Sequence, residues 1–276
     1  KIQNSSSIIK ILKKFLQLHN HTGNVRCYKY KKYLSFEEIV IPQPIVDLYY
    51  GTNGMVAGNT REEALVQGLS EILERYVLKA IINKNLVPPP FKKSLLAEDN
   101  LKIIQDIERH SDYKIELKDL SLGKGIPAVG VILYNISNKT YFLKVGVHPV
   151  IDIALERCLT ELLQGKRLLK FSGMQEITWD MQSLKAEGNF ISVFTNGEGV
   201  YPYSLFESKY SYPPCLERIP YTNNNQMLED LITLVKELGF DAYIREESYF
   251  CLKSYHIIIP GMSEILDINK TEYLYQ

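Results

Sequence analysis

The segment GNTREEALVQGLSEILERY, residues 58–76, sets Glu63, Glu71, Glu74 and Arg75 at spacings that gather charge on one side of a helix. At about 100° per residue, Glu63, Gln67, Ser70, Glu71 and Glu74 fall within one arc of about 100°, with Arg75 at its edge. Leu65, Val66, Leu69, Ile72, Leu73, Tyr76 and Val77 fill the opposite arc. Carboxylates brought together raise one another's pKa unless a cation neutralises them. The set offers oxygen ligands and no Cys or His, which points to a hard ion such as magnesium. Magnesium takes one or two carboxylates and completes its octahedron with water and phosphate oxygens. Arg75 is then suited to a phosphate. A solvated acidic face is the plain alternative and the usual fate of such residues. Against it stands Gly68, which costs about 1 kcal/mol inside a helix relative to Ala and implies that something approaches the backbone closely.

A second segment repeats the pattern ninety residues on. Residues 64–74, ALVQGLSEILE, align with residues 154–164, ALERCLTELLQ. Ala64 matches Ala154, Leu69 matches Leu159, Ser70 matches Thr160, Glu71 matches Glu161, and Glu74 is answered by Gln164. On this second helix Arg157, Thr160, Glu161 and Gln164 share one side, while Leu155, Cys158, Leu159, Leu162 and Leu163 share the other. The common grammar of amphipathic helices could produce such a likeness. The alternative is an internal repeat whose polar faces meet across one site.

The elements that must hold these helices read as a mixed α/β (α+β) arrangement of sheets packed with long helices. Residues 1–18 have helical spacing with a basic face, and residues 25–50 read as short strands broken by Pro42 and Pro44. A glycine-rich loop, Gly51 to Asn59, leads into a helix from about Thr60 to Asn85, and its end at a helix N-terminus suits an anion. It is neither a Walker A loop nor GxGxxG. A helix near Ser94–His110 precedes strands near Tyr113–Lys118, Pro127–Asn135 and Tyr141–Val147, and a helix follows from about Val150 to Lys170. An aromatic-rich stretch, a helix at Asn225–Leu238 and strands near Phe240–Arg245 and Tyr255–Pro260 complete the chain. No linker or low-complexity segment divides it, so residues 1–276 read as one domain.

Composition narrows the functional classes. The 32 basic and 32 acidic residues cancel, so no overall field draws the chain to nucleic acid or to a membrane, and no apolar run reaches membrane-span length. Cys27, Cys158, Cys215 and Cys251 lie far apart without a CxxC pair, which fits a reducing cytoplasm better than a zinc site or a disulfide framework. There is no GxSxG elbow, so nucleophilic hydrolase chemistry has little support. His19 and His21 read as surface residues, His148 as a cap of the helix it precedes, and Tyr201, Tyr203, Tyr210 and Tyr212 as core packing or the lining of a peptide groove.

The run GTNGMVAGNTREEALVQGLSEILERYV resembles the signature of the YcaO family, and ALERCLTELLQGK resembles its second signature. PAVGVILYN, VGVHP and IIIPGMSEI extend the likeness over about residues 37–268 of a partial YcaO domain. It is strongest to stand-alone enterobacterial members that assist β-methylthiolation of a ribosomal protein; other members are azoline-forming cyclodehydratases or thioamide-forming enzymes. The resemblance implies a YcaO-like fold with an internal pseudo-repeat, and ATP bound without a P-loop through magnesium held by glutamates. It implies an enzyme that activates a backbone amide, whose oxygen takes the γ-phosphoryl group. Carried over by position, Glu71 and Glu74 are magnesium ligands, Arg75 and Arg157 touch phosphates, Asn59 and Glu63 meet the nucleotide, and Glu161 and Gln164 belong to the same site with roles unassigned. The implied partners are a peptide or protein substrate and a sulfur-transfer or leader-binding protein, with a homodimer also compatible.

Three departures accompany the likeness. The family's additional glutamate-bearing N-terminal helix has no match in residues 1–36, so this chain alone is expected to be inactive. Val56 stands where a serine is often found. The chain ends in Leu-Tyr-Gln without the proline-rich tail of the peptide cyclodehydratases, and no catalytic base is nominated. A non-catalytic binding or scaffold module that keeps the fold is the competing reading.

Overall fold

In the computed structural model, residues 25–135, 137, 140–163, 175–176, 181–185, 188–189, 192–193, 199–247 and 252–265 are described. They group into two compact units, one within Lys1–Gly68 and Gly239–Gln276, the other within Leu69–Leu238. The basic helix read over residues 1–18, His19, His21, Gln164 and Cys251 lie outside the described residues.

The first unit is built on a five-stranded antiparallel sheet of β1 (Cys27–Lys32), β2 (Glu38–Pro42), β3 (Met55–Gly58), β8 (Tyr243–Glu246) and β9 (Lys253–Ile258). Its order is β2-β1-β8-β9-β3. Lysine and tyrosine alternate along β1, so Tyr30 is buried while Lys29 and Lys31 stay in solvent. Helix α1 (Gln43–Tyr49) covers the tyrosine face through Val46 and Tyr49. This helix departs from the sequence reading of strands over 25–50. Pro44 falls in its first turn, where a proline's missing N–H is not needed, so the proline starts a helix instead of breaking a strand.

The loop read over Gly51–Asn59 is also part strand. Gly51 (φ 53) and Gly54 (φ 80) take left-handed conformations in the turn, and residues 55–58 then pair with β9. On β9 His256 is fully buried, its Nε2 3.2 Å from Asn53 O and its Nδ1 3.0 Å from Tyr30 Oη. Burial lowers its pKa to about 4, with the Arg245 charge adding to the effect. The ring is therefore neutral: Nε2–H donates to Asn53, and Nδ1 accepts from the tyrosine.

Helix α2 (Arg61–Lys84) gives its first two turns to this unit and the remainder to the second. A Cβ on Gly68 would stand 2.8 Å from Ile257 Cδ1 and 2.9 Å from Val56 Cγ1. The close approach foreseen at this glycine is thus made by side chains of β9 and β3.

The second unit holds a four-stranded antiparallel sheet, β4 (Lys114–Asp119), β5 (Ala128–Asn135), β6 (Thr140–Val147) and β7 (Gln175–Glu176), in that order. Helices α3 (Glu98–His110) and α4 (Ile151–Leu163) cover one face. Ile104 and Ile107 of α3 and Leu155, Leu159 and Leu162 of α4 join Ile115, Leu117, Val129, Val131, Leu133 and Phe142 in one core. Each such large apolar side chain contributes roughly 1.5–3 kcal/mol. Helix α4 lies close on β6, since a Cβ on Gly146 would meet Ala154 O at 2.4 Å and Cys158 Sγ at 2.7 Å. Short α5 (Met181–Lys185) and α6 (Asn224–Glu237), capped by the Asn223 side chain, are further helices of the unit.

Candidate functional site

The apolar arc of α2 is buried as its spacing requires: Leu65, Val66, Leu69, Ile72, Leu73 and Val77 are 3% exposed or less. The polar arc departs from the reading at one residue. Ser70 is 1% exposed, and its Oγ has no hydrogen-bond partner. It belongs to the core side of the helix, where a small side chain fits the packing.

At the start of α2, Thr60 Oγ1 accepts the Glu63 N–H at 3.1 Å. Glu63 Oε2 accepts the Asn59 N–H at 3.1 Å, and Asn59 Nδ2 lies 3.2–3.3 Å from both carboxylate oxygens. This is a reciprocal capping arrangement of the Thr-x-x-Glu kind, drawn one residue further back. Asn59 and Glu63 therefore hold each other at the helix end.

In the second unit, Arg75 Nη2 lies 2.7 Å from Glu71 Oε1, one turn away on α2. Burial raises the Glu71 pKa, and Arg75 opposes the shift. Glu74 is moved further, to about 8. Burial is the largest cause, then the charges of Glu161 and Glu71, with Arg75 and Lys144 acting against them. Lys144 Nζ in turn lies 3.4 Å from Glu161 Oε2. The Cys158 thiol is pushed up by burial and by Glu74 and Glu161. Glu71, Glu74, Arg75 and Glu161 thus act on one another electrostatically. Arg157 is exposed on α4, with Glu156, Thr160 and Glu161, opposite the buried Ala154, Leu155 and Cys158.

Three further residues enter this neighbourhood. Lys144 is a single charge in the apolar run of β6, a pattern that could have marked it. Cys158, on the apolar side of α4, and Tyr201, whose pKa the Glu74 charge helps to raise after burial, carry no such sequence signal. Tyr201 is buried, and its backbone N–H and C=O both bond Tyr141 Oη, at 2.6 and 2.8 Å, so it lines no groove. His148 Nδ1 accepts the Val150 N–H at 3.0 Å, the capping role expected of it.

The donor set suits magnesium. Among the described residues no group of three or more His, Cys, Asp or Glu side chains is gathered to hold a metal. Two carboxylates are what magnesium takes when phosphate and water supply the remaining ligands. A Glu74 carboxyl lifted first by burial and then by the charges of Glu161 and Glu71 is a condition that a divalent cation relieves. Among the described residues, no helix is long and apolar enough to cross a membrane.

The chain thus combines antiparallel sheets with an acidic helix face that has Arg75 beside it. It belongs to the YcaO family: the family described as YcaO cyclodehydratase, ATP- and Mg2+-binding, matches residues 12–263. That match begins earlier than the motifs alone, which covered about 37–268. The chain is 33% identical, over 231 residues, to the ribosomal protein S12 methylthiotransferase accessory factor YcaO of Escherichia coli K12. The alignment covers 83% of this chain and 39% of that protein, so the chain spans about two fifths of the relative's length. Among solved structures, YcaO from Methanopyrus kandleri bound with AMPPCP and Mg2+ superposes with a TM-score of 0.59 at 19% identity, covering 89% of this chain and 67% of that one. A heterocyclase in complex with substrate and cofactor gives a TM-score of 0.61 at 19% identity, covering 87% and 33%. These two likenesses are of fold.

Proposed function

We propose that the full-length protein uses ATP and magnesium to activate a backbone amide of a peptide or protein, and that it serves as an accessory factor in β-methylthiolation of a ribosomal protein. A nucleophile adds to the amide carbon, the amide oxygen receives the γ-phosphoryl group with release of ADP, and that oxygen then leaves as phosphate. Glu71 and Glu74 hold magnesium, Arg75 and Arg157 contact phosphates, and Asn59 and Glu63 meet the nucleotide. Glu161 and Gln164 complete the site. Magnesium supplies charge neutralisation at the transferring phosphoryl group. The chain's own part is to keep two carboxylates and their arginine partner fixed on a rigid helix, so that little reorganisation is needed when charge develops.

The observation that carries this reading is the Glu74 carboxyl, lifted to about 8 beside Glu71 and Glu161. Glu71 and Glu74 are half-buried and Glu161 is exposed, and a protein with no use for a cation gains nothing by gathering their like charges. In the full-length protein, Glu71→Gln is expected to lower magnesium-dependent ATP hydrolysis by about 100-fold or more while the circular dichroism spectrum stays unchanged. Hydrolysis retained in that variant contradicts the assignment. The scaffold reading has in its favour the closed Glu71–Arg75 pair, and it predicts no hydrolysis in the parent protein either.

A further inference from the structure

Lys144 is the lone charge of β6, TYFLKVGV. It stands opposite Val131 of β5 and shares a strand face with Phe142 and Gly146, the face on which α4 lies. Its side chain is 18% exposed, and a lysine so far from water is normally matched with a close carboxylate. A buried lysine of the same sheet shows what such a match looks like: Lys118 Nζ is 2.6 Å from Glu116 Oε1.

Lys144 is held more loosely. Its Nζ lies 3.4 Å from Glu161 Oε2, beyond the range of about 2.7–3.2 Å of a well-made N–H···O bond. The Phe142 ring, with its centroid 5.4 Å from Nζ, attracts the charge only weakly. An ammonium carries three N–H donors, so among the described residues Lys144 keeps donor capacity that these two neighbours do not fill. Its charge nevertheless reaches the acidic cluster, where it works against the rise of the Glu74 carboxyl and the Cys158 thiol. Arg75, by contrast, is closed on Glu71 at 2.7 Å.

We propose that Lys144 is a phosphate-binding residue of the nucleotide site, its ammonium passing from Glu161 to a phosphate oxygen of magnesium-bound ATP. This rests on the magnesium and nucleotide reading given above. A compact ammonium on a flexible stem suits phosphate as a point charge. Pairing with β5 along the whole of β6 gives that stem a rigid base. The competing role is structural: Lys144 only neutralises Glu161.

Calorimetric titration of the full-length protein with magnesium and a non-hydrolysable ATP analogue separates the two roles. It is run at pH 9, above the value of about 8 to which the Glu74 carboxyl is raised, so that this group is ionised throughout. Lys144→Met keeps an apolar stem and removes the charge. It is expected to weaken binding at least about tenfold, the scale of one charged hydrogen bond, in the parent and again in a Glu161→Gln background. Lys102→Met, which removes an exposed charge from α3, is expected to leave the affinity unchanged. Unchanged affinity in Lys144→Met overturns the proposal, as does an equal loss in Lys102→Met. A loss that vanishes in the Glu161→Gln background also overturns it, because Lys144 then acts only through Glu161. Where Glu71→Gln weakens binding and Lys144→Met does not, the assignment of Lys144 alone fails; where neither does, the nucleotide reading fails with it.

Discussion

Glu161 on α4 acts through its charge on Glu74 of α2, and after burial it is the largest reason that the Glu74 carboxyl rises to about 8. The folded chain therefore holds this proton more tightly than the unfolded chain, whose value stays near 4.5. Folding stability falls as pH rises between those values, because the unfolded state has already released the proton. Glu74→Gln removes this penalty. Without magnesium, thermal unfolding of Glu74→Gln should match the parent near pH 5 and exceed it at pH 8. A variant less stable than the parent at pH 8 would show that the charge is compensated in the fold.

Gly146 leaves no room for a side chain. The clash of an added Cβ with Ala154 O at 2.4 Å involves backbone, so α4 must shift. Gly146→Ala is expected to cost about 1–3 kcal/mol, read as a lower midpoint in urea unfolding. Ala154→Gly should not restore it, since the clashing atom is a carbonyl.

Asp119 at the end of β4 ties down the segment that follows the aromatic-rich stretch. Its carboxylate accepts the N–H groups of Ser121, Cys215 and Leu216 at 2.9, 2.8 and 3.0 Å. Asp119→Ala strands buried donors and is expected to cost about 2–4 kcal/mol. Hydrogen exchange of the 215 and 216 amides should accelerate more than that of β5. Uniform acceleration would place the loss in the whole unit.

Periodicity made α2 and α4 legible, because each buries one face and exposes the other, while β5 and β6 were legible as short apolar runs and are buried on both faces. Leu155, Leu159 and Leu162 went inward on α4, and Glu161 outward, as spacing requires. The run 43–49 was misread because its prolines serve equally as strand breakers and helix starters, and only the pairing around it decides. Ser70 lay on the polar arc by angle, yet neighbours that sequence does not reveal bury it. Lys144 stood out locally as the lone charge in the apolar run of β6, but its place beside Glu161, like that of Tyr201 near Glu74, comes from tertiary packing. Asn59 and Glu63 were assigned to the nucleotide by resemblance, and the Thr-x-x-Glu spacing that fits their hydrogen bonds at the helix start went unread.

The proposed binding of magnesium and nucleotide by Glu71 and Glu74 is tested by calorimetric titration of the full-length protein with a non-hydrolysable ATP analogue. Binding should require magnesium and should weaken at least about tenfold in Glu71→Gln and in Glu74→Gln. It should also release protons at pH 7, because the Glu74 carboxyl, protonated up to about 8, must ionise to bind the metal. Magnesium-dependent binding that is equally tight in both variants, with no proton released, would contradict the account.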